Sequence, residues 1–185
     1  MDSIKLMVDE HENILRMNIV IRKACEKILD GSEVCTADFR KMIDFIRNYA
    51  DKHHHGKEEQ ILFIQMQDRL GNIGANLIKH GMLVEHDLGR LFVTELEEAI
   101  DEYEKQPSTP AKLDILANAV SYTGLLARHI GKENEVVYTY AQKNLTADVL
   151  ADVNQRTEDF EKAAEDAGIV KKYLSLLLAL ENKYR

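Results

Sequence analysis

The sequence has no tryptophan, only two prolines and nine glycines in 185 residues. So few breakers argue against a fold of many short strands and favour long helices. Cysteine is scarce too: Cys25 and Cys35 stand alone, with no CxxC spacing, so two unpaired thiols are expected rather than a disulfide framework. No apolar run approaches the roughly 18 residues needed to span a bilayer. The longest, Leu174 to Leu180, is short and interrupted by Ser175. The opening residues, MDSIKLMVDEHEN, carry acids early and no apolar h-region, so no secretory signal and a cytoplasmic location are expected. Positive charge is in deficit, with 24 Lys and Arg against 32 Asp and Glu, a net −8. An acidic surface repels phosphate backbones and anionic lipid heads, so neither a nucleic-acid nor a membrane partner is expected. Nucleotide-binding loops and nucleophile motifs are also missing.

What the chain does have is apolar residues at helical spacing, 45% of the total, which is enough for a core. The first helix is expected over about Ser3 to Leu29, with Ile4, Val8, His11, Leu15 and Ile19 facing inward. Thr36 is the expected cap of a second, Ala37 to about Leu70. A third runs from about Ala75 to Glu104, and after the Gln106–Pro110 linker a fourth runs from Ala111 to about Lys143. Short turns favour antiparallel neighbours, so residues 1–145 are expected to form an all-α, up-down-up-down four-helix bundle. Residues 146–185 are expected to add a C-terminal helical extension packed on that bundle through Leu145, Val149, Val153, Phe160, Leu174, Leu177 and Leu178.

One internal repeat stands out: HHGKEEQILF at 54–63 matches HIGKENEVVY at 129–138. Each copy places His and Glu four apart, one helical turn along one face. Seven His and eighteen Glu would give about 0.7 such pairs by chance, so a short pattern needs structural context. Spacing supplies it. His11 lies 20–23 residues before the Gly31–Val34 turn and His54 lies 20–23 after it; His86 is 22 before Ser108 and His129 is 21 after. At ~1.5 Å of rise per residue, all four histidines fall in one layer, with Glu58 and Glu133 added by helices two and four. They share the apolar stripe and so face the core. Burying four imidazoles and two carboxylates together is costly unless they satisfy one another or hold metal ions, and a metal pair is the better match.

With these residues in place, the sequence resembles the hemerythrin-like, HHE cation-binding family over residues 4–145. The motifs stand in order: Glu10-His11 on helix one, HxxKEE from His54 to Glu59, EHxxGR from Glu85-His86 to Arg90, and HxxKE from His129 to Glu133. The resemblance implies a non-haem di-iron centre bridged by the two glutamates and an oxo or hydroxo group, with His11, His54, Glu58, His86, His129 and Glu133 as metal ligands. Manganese and zinc are alternative occupants. It implies a diatomic or peroxide ligand (dioxygen, peroxide or nitric oxide), an electron donor as partner, and, as alternatives to oxidant chemistry, an iron- or oxygen-sensing module or an iron-donating repair protein without turnover. Oxygen-carrying members have a fifth histidine four positions before the one on helix three. Met82 stands there, and a thioether is a poor ligand for hard iron. More open coordination positions than a carrier has are therefore expected, which favours a site that reacts, senses or exchanges iron.

The remaining polar residues have plainer expectations. His53 and His55, about 100° to either side of His54, are expected at the surface or behind the ligands. His80, Lys57 and Lys132 are expected at the surface. Glu85 or Arg90 is expected to orient a ligand. Tyr122 and Tyr140 are expected to pack in the core.

Overall fold

The computed structural model describes residues 1–185, and 90% of them are helical, with no strands. Six helices follow in order: α1 (Ser3–Leu29), α2 (36–69), α3 (71–105), α4 (109–144), α5 (Ala147–Asp166) and α6 (Ile169–Lys183). The first four form a ring in which α2 packs on α3, α3 on α4, and α4 on α1, with α2 closing against α1. Their connections are short. Leu70 alone separates α2 from α3, and Gly71 follows in the left-handed region (φ +60°), which lets the chain reverse there without a Cβ clash. The third helix therefore starts at Gly71, earlier than the sequence suggested. Ser108 caps α4 by accepting from the Ala111 amide at 3.3 Å, so Thr109 and Pro110 belong to its first turn. Cys35, not Thr36, occupies the cap position of α2, and no side chain bonds there.

The buried stripe of α1 runs through Ile4, Met7, His11, Ile14, Asn18, Ile21, Cys25 and Ile28. Steps alternating between three and four residues keep one face toward the bundle, whereas steps of four drift off it. Ile19, expected inward, is 61% exposed for that reason.

Helices α2, α3 and α4 share a second local feature that α1 lacks. Each contains π-helical turns: Ile46–His55 and Glu58–Leu62 in α2, Ile78–Met82 in α3, and Glu133–Val137 in α4. The i→i+5 bonding of a π-turn widens the helix, so successive residues rotate by less than the about 100° of an α-helix. Neighbouring side chains are then brought toward one face.

The polar layer separates two apolar clusters. The larger includes Ile14 to Ile28 of α1, Phe39 to Ala50 of α2, Val93 to Tyr103 of α3 and Ala111 to Ile130 of α4. The smaller lies beyond the layer and includes Ile4, Met7, Leu62, Met66, Ile78, Met82, Val137 and Ala141. The C-terminal helices join both. Tyr173, Leu177, Leu180 and Tyr184 enter the larger cluster, and Val153 enters the smaller. Leu178, expected to pack, is 53% exposed. Leu177→Ala should therefore lower stability by about 2–5 kcal/mol in urea titrations, as for other buried leucines, while Leu178→Ala should stay within about 0.5 kcal/mol.

Candidate metal centre

All six candidate ligands read from the sequence lie in one buried layer. His11, His54, Glu58 and Glu133 bring one donor atom each within 4.8 Å of the others, and His86 and His129 form a second group with His55. The two glutamates reach both groups. Glu133 sets Oε2 at 3.2 Å from His11 Nε2, and Oε1 at 3.1 Å from His129 Nε2 and 3.6 Å from His86 Nε2. Glu58 Oε2 lies 3.7 Å from Nε2 of both His54 and His86.

The imidazoles are held from behind. His11 Nδ1 bonds Asn134 Oδ1 (2.8 Å), His54 Nδ1 bonds Glu10 (2.8 Å), His86 Nδ1 bonds Glu59 (2.7 Å) and His129 Nδ1 bonds Glu85 (2.9 Å). These acceptors fix the proton on Nδ1 and turn the Nε2 lone pairs to the centre, the arrangement that metal-bound histidines require. Two consequences follow. With all four rings neutral in this tautomer, His11 and His54 Nε2, 2.8 Å apart, and His86 and His129 Nε2, 3.1 Å apart, have no hydrogen between them. In addition, Glu58 Oε2 and both oxygens of Glu133 have no hydrogen-bond partner although fully buried. Lone pairs crowded around unpaired carboxylates are destabilising unless cations lie among them. A donor set of four imidazole nitrogens and two shared carboxylates fits a pair of first-row metal ions.

Charge follows the same division. Every outer carboxylate has a cation: Glu10 pairs with Lys57, Glu85 with Lys132, and Glu59 and Asp51 with Arg90. Glu58 and Glu133 have none. Burial and the charge of Glu133 push the Glu58 carboxyl well above its usual range. Burial acts upward on Glu133 as well, but His129, His11 and His86 outweigh it and hold this carboxyl well below. Burial and His11 push His54 down to about 4 despite Glu10. Burial would also lower His86, but Glu133 and Glu59 outweigh it and raise it. Glu133 and Glu59 thus favour positive charge on the His86 side of the layer.

The layer has an internal twofold pattern at a spacing of 75 positions. Glu10 of α1 accepts from His54 of α2 as Glu85 of α3 accepts from His129 of α4. Glu59 serves His86 as Asn134 serves His11. Departures from the pattern distinguish the halves. Tyr138 donates to Glu58 Oε1 at 2.6 Å, whereas its counterpart is Phe63, which stacks on His86. His55 and Asp51 stand where α4 has Ile130 and Leu126.

Of the two places expected for His53 and His55 the structure gives the one behind the candidate ligands, and Lys57 is placed otherwise than expected. His53 and His55 are buried, His53 bonding Glu10 (3.0 Å) and His55 bonding Asp51 (3.3 Å), because the π-turn of Ile46–His55 brings all three consecutive histidines inward. Lys57 is fully buried between Glu10, Glu161 and His53 rather than at the surface. Glu85 does orient a histidine, while Arg90 acts one step further out, through Glu59. Met82 belongs to the smaller apolar cluster. Sequence reasoning missed Glu10, Asn134 and Tyr138 as supports. The EH dipeptide repeated on helices one and three was the available signal for Glu10. His80 and Lys132 are exposed as expected, Tyr122 is buried, and both cysteines are free.

A helical bundle with a buried histidine–carboxylate layer between two apolar clusters is a metal-binding module by fold and donor set. The hemerythrin HHE cation binding domain matches residues 2–141, three quarters of the chain, and the chain belongs to that family. No curated protein and no solved structure matches it. No helix is long and apolar enough to cross a membrane.

The raised Glu58 gives a pH dependence whose sign is fixed. A proton held there in the metal-free protein competes with metal, so metal affinity should fall as pH falls and metal uptake should release protons. Calorimetric titrations in buffers of different ionisation enthalpy should report that release, and Glu58→Gln should reduce it together with affinity. Uptake without proton release would contradict the assignment of Glu58.

Proposed function

We propose that the layer holds a di-iron centre that binds or reacts with a small oxidant: dioxygen, a peroxide or nitric oxide. Its ligands are His11, His54, Glu58, His86, His129 and Glu133. The observation that carries this reading is the inner pair of carboxylates, which reach both groups of imidazoles and have no lysine or arginine of their own. Bound there, a pair of irons would supply electrons and open coordination positions to the oxidant. The chain supplies the surroundings. Outer acceptors hold the four imidazoles in one tautomer, Tyr138 fixes the orientation of Glu58, and apolar clusters pack above and below the layer. Met82 contributes no imidazole, so each metal has two histidines, which favours reaction with exogenous ligands over reversible carriage.

A sensing role is the second reading, and one contact favours it. Glu161 of α5 pairs with Lys57, which pairs with Glu10, which holds His54. Metal occupancy is thereby linked through buried charges to the C-terminal helices. Anaerobic spectra before and after each oxidant separate the two readings, because turnover marks an enzyme and stoichiometric binding marks a sensor.

Anaerobically purified protein should contain two metals per chain. Its melting temperature should exceed that of chelator-treated protein by about 20 °C with both sites at a thousandfold excess over Kd. Amide exchange after chelation should rise first around the smaller apolar cluster, which has fewer buried partners than the larger. Equal melting temperatures would argue that the layer holds no metal.

A further inference from the structure

A cavity of about 100 Å³ opens onto the His86–His129 half of the layer, between α2, α3 and α4. Ile46, Ala50, Val93 and Leu126 form its apolar wall, and His55, His86 and His129 bring the layer into it. This is also the half where the 75-residue pattern gives way to a polar pair, His55 and Asp51, in place of Ile130 and Leu126. The pair is firmly built. His55 Nδ1 donates to Asp51 Oδ1, Asp51 accepts from Arg90 at 2.7 and 3.0 Å, and Arg90 also donates to Glu59, the acceptor of His86. His55 and His86 therefore turn Nδ1 to the same Arg90-tied edge and Nε2 toward the layer.

Their relative orientation decides what His55 does. The two rings lie face to face, centroids 3.8 Å apart and planes 7° from parallel. A cation held by the His86 lone pair lies in the His86 ring plane, whereas the His55 lone pair runs parallel to that plane and displaced from it. His55 is thus set beside the metal that His86 would hold, with its Nε2 left as an acceptor. The charged groups around the cavity are already engaged: Arg47 pairs with Glu97, Arg90 with Asp51 and Glu59, and Glu85 with Lys132, which leaves the neutral Tyr122 hydroxyl as the one other polar group at its wall without a protein partner. No free cation remains to hold an anion. At about 30 Å³ per water, the cavity has room for about three waters.

We propose that this cavity binds a small, uncharged hydroxylic oxidant, hydrogen peroxide, beside the metal, with His55 Nε2 accepting its O–H hydrogen bond. The proposal rests on the metal-centre reading above and narrows its ligand class. Dioxygen and nitric oxide have no hydrogen to offer, so His55 discriminates against them by leaving an unpaired acceptor. His55 is a positioning residue for the ligand and not a metal ligand.

The test uses metal-loaded, reduced full-length protein, hydrogen peroxide and nitric oxide as probes, and stopped-flow spectra under anaerobic conditions. His55→Phe keeps a flat ring over His86 and removes the acceptor. Gly89→Leu narrows the cavity from α3, where a Cβ would already touch Leu126, Leu125 and Tyr122 at 3.7–3.9 Å. Metal content should stay at two per chain in both variants. His55→Phe should slow the peroxide reaction about tenfold and leave nitric oxide binding unchanged, as the loss of one hydrogen bond requires. Gly89→Leu should slow both probes. Equal rates in His55→Phe and the unmodified protein would overturn the proposal alone, and so would parallel losses for the two probes. A drop to one metal in His55→Phe would make His55 a ligand and also overturn it. An unmodified protein without two metals would bring down the metal-centre reading as well.

Discussion

Two glutamates, Glu58 and Glu133, sit fully buried at mid-height in the bundle with three of their four oxygens unbonded, and the surrounding residues are arranged about that cost. Neutralising them with lysine or arginine would have been the simple solution. Instead, the nearby cations are each committed to an outer carboxylate, and the inner pair faces four imidazole lone pairs. Positive charge supplied from outside the chain would stabilise such an arrangement. The Nδ1 acceptors, the fully buried Lys57 and the bond from Tyr138 all preserve that inner geometry.

The bundle accommodates the layer by splitting its apolar core in two and by widening three of its four helices at that level. The larger cluster, which the C-terminal helices complete, holds the frame together on one side of the site. The π-turns let consecutive side chains of α2 converge, so that His53, His54 and His55 all serve the interior from adjacent positions. Twofold repetition supplies matched candidate ligands and supports, and the places where it fails, at His55, Asp51 and Tyr138, make the two halves chemically different.

Much of this was legible in the sequence. Equal spacing from the turns placed His11, His54, His86 and His129 at one height, and the structure gathers them with Glu58 and Glu133. Helix boundaries were read to within a few residues, with the α2–α3 turn the largest error because one left-handed glycine, Gly71, suffices there. The misplaced residues have separate causes. The π-turn of Ile46–His55 carries His53 and His55 fully inside, where a rotation of about 100° per residue left the surface open to them, and steps of four, which overrun the 3.6-residue turn, sent Ile19 inward. Supports such as Asn134 and Tyr138 come from other helices, at sequence distances that no local pattern marks.

The central claim is that the inner carboxylates are shared by two metal ions, one beside His11 and His54 and one beside His86 and His129. Anomalous diffraction from crystals of the metal-loaded protein tests it most directly. Two peaks within the layer, with Glu58 and Glu133 between them, are the expected result. A single peak, or a metal among Glu10, His53 and Glu161 where Lys57 now sits, would contradict it.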